Sequence, residues 1–226
     1  MVYLAIKVFA ILCLWSVPAY GNTQKSDILF AISKSMSPFY DKYQGIKSKR
    51  QISLKEIDPD NGETLLTKSI ERNVWEFLRK DRKSEVSLCV VDGKKVSLDD
   101  CDDMGAKEPL YPIFGSGSSK YYRLSLLNTQ PSDGKYKVEV IPLEETSRHF
   151  KGMLTFSRDY RLTKMEGTIA DLPFPLKKFK FALEYMVHNE IDVVKSGNYE
   201  VAVKIPLVLD KLIKSTFTAT SHELIL

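Results

Sequence analysis

The stretch from Asp133 to Pro173 constrains the fold more than any other, because it holds three period-2 segments in succession. Tyr136, Val138, Val140 and Pro142 alternate with Lys135, Lys137 and Glu139. Phe150, Gly152, Leu154 and Phe156 alternate with Lys151, Met153, Thr155 and Ser157. Leu162, Lys164 and Glu166 then alternate with Thr163, Met165 and Gly167. Successive side chains of a strand point to opposite faces, so this pattern builds strands with one wet and one dry face. Pro131-Ser132-Asp133-Gly134 and Ser157-Arg158-Asp159-Tyr160 supply turns, which makes the stretch an antiparallel meander.

The rest of the chain continues the theme. Gln44 to Asp58 is an alternating strand with Ile46, Ser48, Arg50, Ile52 and Leu54 on one side, and Pro59 to Gly62 turns it into a second strand, Thr64 to Phe77. Asp92-Gly93 joins Val86–Val91 to Lys94–Leu98 as a hairpin. Tyr121 to Leu127 and Phe179 to Tyr185 read as further strands. So does Tyr199 to Ile205, after a turn at Ser196-Gly197-Asn198, and Thr216 to His222 closes the set. The periodic segments number roughly nine to eleven strands, a sheet large enough to curl or close. One helix stands against them: Ser26 to Met36 places Ile28, Leu29, Ile32 and Met36 on one side, capped by Ser26 or Asp27 and ended or restarted at Pro38. Asp99 to Ser119 is a loop, with a helical turn expected around Leu110 to Phe114. The predicted architecture is mainly β (α+β): a half-open antiparallel β-barrel covered by an N-terminal helix and a short helical or loop lid.

The chain of 226 residues suits one domain behind a leader. Lys7, the apolar run Val8 to Trp15 and the small-x-small signal Ala19-Tyr20-Gly21 read as a signal peptide over residues 1–21. The mature domain is then 22–226. The leader's apolar run is shorter than the about 20 residues of a membrane span. Cys13 is preceded by Leu12 where a lipid-attachment cysteine needs a small residue. Losing Lys7 lowers the formal charge from +4 to +3, too little for a nucleic-acid partner. Cys89 and Cys101 remain, and in an oxidising compartment the Asp92-Gly93 hairpin would bring them together as a disulfide if the Cα separation permits. Such a loop would stabilise by roughly 2–3 kcal/mol.

No catalytic constellation emerges. His149, His188 and His222, the only histidines, lack HExxH spacing. Gly115-Ser116-Gly117-Ser118-Ser119 lacks the strand-to-helix context of a nucleophile elbow. Asp99, Asp100, Asp102 and Asp103 are consecutive rather than alternating and do not form a calcium loop. The chain reads as a binding protein without metal or cofactor.

The order of these elements resembles the periplasmic lipoprotein-carrier (LolA-like) superfamily, which includes outer-membrane lipoprotein-sorting proteins. The residues that carry it are YQGIKSKRQISLKE (43–56), ERNVWEFLRK (71–80), VVDGKKV (90–96), GKYKVEVIPLE (134–144) and FKGMLTFSRDYRLTKMEG (150–167). The resemblance implies a periplasmic, monomeric half-barrel whose apolar cavity takes lipid or lipoprotein acyl chains. Its partners would be an inner-membrane exporter and an outer-membrane acceptor. It also implies an arginine on an early strand that holds the lid. Arg72 is nearest to that motif, and Arg50, beside Ile46, Ile52 and Leu54, is a second candidate on its own strand pattern.

Acyl chains gain about 0.8 kcal/mol per methylene removed from water, so the lining must be apolar. The candidate lining residues are Ile52, Leu54, Leu66, Trp75, Phe77 and Leu88 from the first half. From the second come Leu124, Leu126, Val138, Val140, Leu154, Phe156, Phe181, Leu183, Val201 and Val203. A sensor or interaction module of the same fold, bound to a membrane protein, is the alternative function, since a fold does not settle a job.

Overall fold

A computed structural model describes residues 20–77, 83–101, 110–115, 117–130, 133–206 and 209–226; within these, the side chains of 20–23, 37–41 and Phe77 are excluded. The leader up to residue 19, the acidic segment 102–109 and the Phe77 side chain therefore lie outside the described residues.

Alternating sequence becomes strand throughout. One helix, α1 (Tyr20–Lys42), precedes β1 (Gly45–Ile57), β2 (Thr64–Phe77), β3 (Lys83–Val91), β4 (Lys94–Lys95), β5 (Tyr122–Leu126) and β6 (Tyr136–Pro142). The chain continues through β7 (Phe150–Phe156), β8 (Leu162–Ile169), β9 (Leu176–His188), β10 (Ile191–Ile205) and β11 (Leu209–Ile225). They form a single antiparallel sheet in the order β4-β3-β2-β1-β11-β10-β9-β8-β7-β6-β5. The last strand thus sits beside the first in the middle of the sheet, and β4 and β5 form its two open edges. An open sheet with a helix on one face fits the predicted half-barrel rather than a closed one.

The sheet curls. Residues of β1 and β7 line one cavity, yet β1 and β7 are five ladder steps apart in the sheet. Flat, those steps would separate them by about 24 Å. Bulges within that span, at Lys49/Arg50, Val194/Ser196 and Thr155/Phe156, add local bend and twist that help close the distance. On the concave side the rings need room near the backbone. Gly152 pairs with Gly167, and a Cβ on Gly152 would lie 2.1 Å from the Glu166 carbonyl oxygen and 2.7 Å from the Phe150 ring. Only the missing side chains let Phe150 lie across this pair.

Two apolar clusters hold the concave side. The larger packs Ile28 and Ile32 of α1 and Phe114 against Tyr122, Leu126, Val138, Val140, Phe150, Leu154, Phe156, Leu162 and Phe181. The smaller gathers Ile70, Val86, Cys89 and Cys101 with Ile52, Val91 and Val96. Cys89 and Cys101 are disulfide-bonded with their Cα atoms 6.0 Å apart. Asp92 (φ 46°) and Gly93 (φ 79°) make the two-residue turn between β3 and β4.

Three local expectations are corrected. The helix begins at Tyr20 rather than at a Ser26 or Asp27 cap and runs through Pro38. Tertiary packing of Ile28 and Ile32 outweighs one missing backbone donor. Ser196-Gly197-Asn198 is not a turn but the interior of β10, and the reversal comes earlier, at Asn189 (φ 49°) and Glu190 (φ 65°). Gly197 is there because a Cβ would meet the Phe217 ring at 2.4 Å. Leu110 to Phe114 forms bends rather than a helical turn; short 3-10 turns stand instead at Leu98–Cys101 and Ser118–Lys120.

Candidate functional site

The alternation that makes β1 amphipathic also sets Ile46, Ser48 and Arg50 on the concave face, where α1 and the Leu110–Phe114 segment cover the sheet. Between them lies a cavity of about 320 Å³. Met36 of α1, Ile113 and Phe114 of the covering segment, and Ile46, Phe150, Leu154, Leu162, Met165, Tyr185 and Val194 of the sheet make its apolar wall. Ser48, Arg50, Glu76, Asp192 and His222 make its polar part. The volume is at the lower end of the roughly 300–1,000 Å³ of ligand pockets.

The cover is held at two points. Ser35 Oγ of α1 donates to the Tyr160 carbonyl (2.7 Å). The Tyr111 ring lies between the Tyr121 ring, stacked at 4.1 Å, and the Arg148 guanidinium, 4.3 Å from its centroid. The Tyr111 N–H donates to the Arg148 carbonyl (2.9 Å), and the Tyr122 hydroxyl donates to the Tyr111 carbonyl (3.2 Å). The Phe150 N–H donates to the same hydroxyl (3.0 Å). The Leu110–Phe114 segment is thus fixed to the Tyr122 side chain of β5 and to the backbone just ahead of β7.

Arg50 is 4% exposed, and its hydrogen bonds stay within the sheet. Nη2 donates to Glu76 Oε2 (2.5 Å) and Nε to Ser48 Oγ (3.0 Å), while the guanidinium lies 4.9 Å from the Phe217 ring centroid. Arg50 therefore belongs to the cavity floor, and these bonds do not tie it to α1 or to the cover. Arg72 is buried too, and its Nη2 donates to the Cys101 carbonyl (2.8 Å). With the disulfide it anchors the 3-10 turn from which the chain leaves toward residue 102.

Asp192 has a side chain only 2% exposed. Its Oδ2 accepts the Leu162 N–H (2.9 Å), replacing a sheet bond where β8 and β9 have splayed apart. Oδ1 finds no hydrogen-bond partner among the described residues, with Arg161 Nη1 at 3.9 Å. Burial pushes this carboxyl above the ordinary aspartate range, against the Leu162 N–H and the Arg161 charge, which lower it. His222 Nε2 lies 2.8 Å from the Val194 carbonyl, so Nε2 carries the proton. Burial holds this imidazole below its ordinary value, favouring the neutral ring with Nδ1 as an acceptor.

Of the residues singled out in the sequence, Leu154 and Arg50 line the cavity. Leu126, Val138, Val140, Phe156 and Phe181 are buried in the larger cluster, with Leu124 and Leu183 packed against it. They fill the half-barrel instead of lining it. Leu54 is buried, and Ile52 belongs to the smaller cluster. Leu66, Val201 and Val203 are half-buried and stand away from the cavity. Two expectations are wrong in direction. Trp75 alternates with the buried Arg72 and Val74 and so faces outward, with Lys47 and Lys83 ammonium groups 5.5 and 5.4 Å from its ring centroid. Leu88 pairs with Glu71 on the same outer face. An extra residue at Ser87 accounts for Leu88, because it reverses the parity of β3 beyond it. Trp75 needs no bulge: β2 stays in unbroken register with β1 from Leu66 to Phe77, so plain alternation puts it on the face opposite Leu66. Asp192 and His222 were not anticipated; the one available signal is a carboxylate standing inside the apolar run Ile191–Val194.

Among the described residues, no three His, Cys, Asp or Glu side chains are grouped to hold a metal ion, and no helix is long and apolar enough to cross a membrane.

No family model matches the sequence, and no curated protein matches it. Among solved structures, the chain is similar to a LolA superfamily protein from Nitrosomonas europaea, with 10% identity and a TM-score of 0.46 over 86% of this chain and 92% of that one. It is similar to a DUF1329 family protein from Desulfovibrio piger, with 12% identity and a TM-score of 0.42 over 85% and 90%. It also matches MucB in complex with periplasmic MucA, with 11% identity and a TM-score of 0.24 over 89% and 99%. No residue role transfers at such distances, and the chemistry of the cavity stands on its own geometry.

Proposed function

We propose that this chain is an exported, periplasmic binding protein that shields an acyl chain from water during transfer toward the outer membrane. One observation carries the reading: a cavity between the sheet and its cover whose lining is mostly apolar and carries a few hydrogen-bonding groups, Ser48, Arg50, Glu76, Asp192 and His222. That distribution suits an amphiphile. Each methylene placed there would contribute about 0.8 kcal/mol, so a tail of about ten methylenes would supply about 8 kcal/mol, the scale of micromolar binding. The volume admits one chain rather than several.

Native mass spectrometry of protein taken from the cell under gentle conditions, followed by lipid extraction, tests the proposal. The expected result is a bound amphiphile in the wild type that is absent from Met165→Trp, in which an indole fills the cavity. Empty wild-type protein would refute it.

A second reading, an interaction module on the same half-barrel, is favoured by the filling of the larger cluster. Val138, Val140, Phe156 and Phe181 are covered by the chain's own α1 and Phe114. It predicts stoichiometric recovery of one membrane protein in a pull-down, unaffected by Met165→Trp.

A further inference from the structure

The polar groups around the cavity are not balanced between donors and acceptors. Among its described lining residues Arg50 is the one full cation, and that guanidinium is already committed to Glu76 and Ser48. Against it stand two carboxylates, Glu76 and Asp192, and a histidine whose protonated nitrogen is spent on the Val194 carbonyl. Asp192 Oδ1 is the sharpest case. It belongs to a side chain 2% exposed at the cavity wall and accepts no hydrogen bond among the described residues; Arg161 Nη1 stands 3.9 Å away, beyond hydrogen-bond reach, while the other oxygen accepts the Leu162 N–H. Accepting that N–H needs only a neutral oxygen, as an asparagine would provide. A buried acceptor left without a donor is unfavourable, and a ligand donor would relieve it.

We propose that the cavity selects an amphiphile with a hydrogen-bond-donating head, a primary ammonium or hydroxyl, seated on Asp192 Oδ1, and one tail lying against Phe114, Leu154 and Leu162. The inference rests on the acyl-binding reading above and adds the head group to it. An anionic head would meet the Asp192 carboxylate, while Arg50, the one full cation among the described lining residues, is already paired with Glu76. His222 Nδ1, left as an acceptor by the Nε2–Val194 contact, gives a second seat for a donor on the neighbouring strand. At about 30 Å³ per methylene-sized unit, a volume near 320 Å³ holds a tail of about ten carbons.

Three matched ligands test this by calorimetry below their critical micelle concentrations: decylamine, decyltrimethylammonium and decanoate. The two cations carry the same charge and tail, and only the first can donate. Wild-type protein is expected to bind decylamine at least about tenfold more tightly than decyltrimethylammonium, with decanoate weakest. Asp192→Asn, which turns an amide N–H₂ toward the cavity, is expected to abolish the preference for decylamine and to improve decanoate binding. Equal wild-type affinities for the two cations would overturn the inference while leaving the tail pocket standing. So would an unchanged preference in a folded Asp192→Asn. The wild-type comparison decides the matter alone if the variant does not fold. No binding of any of the three would overturn the acyl-binding reading itself.

Discussion

Arg50 and Glu76 form an ion pair whose two members are buried to different degrees, and that asymmetry yields a counterintuitive expectation. Arg50 is 4% exposed and Glu76 is 40% exposed, with Nη2 and Oε2 2.5 Å apart. Replacing Arg50 by Met removes the pair, the Ser48 bond and the ring contact with Phe217, but the carboxylate left behind rehydrates. The cost should be about 1–2 kcal/mol. Replacing Glu76 by Leu leaves a nearly fully buried guanidinium that cannot lose its proton and has lost its counter-charge, keeping the Ser48 bond and the Phe217 ring. That cost should approach about 3–5 kcal/mol, the range for breaking a buried pair. The less buried residue is therefore the more damaging one to remove. Urea unfolding of the two single variants and the double variant measures it, and the double should be close to Arg50→Met alone, because nothing is then stranded. A coupling below about 0.5 kcal/mol, the level of a solvated surface pair, or the reverse order of the two singles, would refute the reasoning.

Three further outcomes follow from the geometry. Gly152→Ala places a methyl 2.1 Å from the Glu166 carbonyl oxygen, where backbone must move, and should cost at least about 3 kcal/mol in a denaturant midpoint series; a loss under about 1 kcal/mol would mean that Phe150 does not lie across Gly152 and Gly167. The Cys89→Ser/Cys101→Ser pair opens a link 12 residues apart in sequence and should cost about 3 kcal/mol, read as a lowered Tm under oxidising conditions and as no difference under reduction. The two buried titrating groups pull stability in opposite directions with pH. The Asp192 carboxyl is raised by burial, so the folded state holds its proton more tightly, and stability declines as pH rises from about 3.8 through the raised folded value. The His222 ring is lowered by burial, so stability declines as pH falls from about 6.5 through the lower folded value. Asp192→Asn should flatten the first slope and His222→Gln the second, and variant profiles parallel to wild type would contradict each assignment.

The alternation of apolar and polar residues was enough to determine the strands, because a strand's two faces repeat every two residues whatever lies beyond it. β1 and the β6–β8 meander are legible to within a residue or two, as is the Asp92-Gly93 hairpin, whose left-handed backbone few residues accept. What alternation cannot carry is which face of a long sheet becomes cavity and which becomes packed core. That depends on where a distant element lands: α1 and Phe114 descend on Val138, Val140 and Phe156 and fill that end, leaving space beside Ser48, Arg50 and Asp192 instead. Bulges are equally silent in sequence, and the extra residue at Ser87 shifts the parity of β3 by one, which is why Leu88 lies on the outer face. Trp75 is there by plain alternation along β2. The central place of β11 is a tertiary decision as well, since nothing local to residues 209–225 says that they pair with β1, some 170 positions earlier in the chain. The polar end of the cavity follows from that pairing, for it is β11 that brings His222 opposite Ser48.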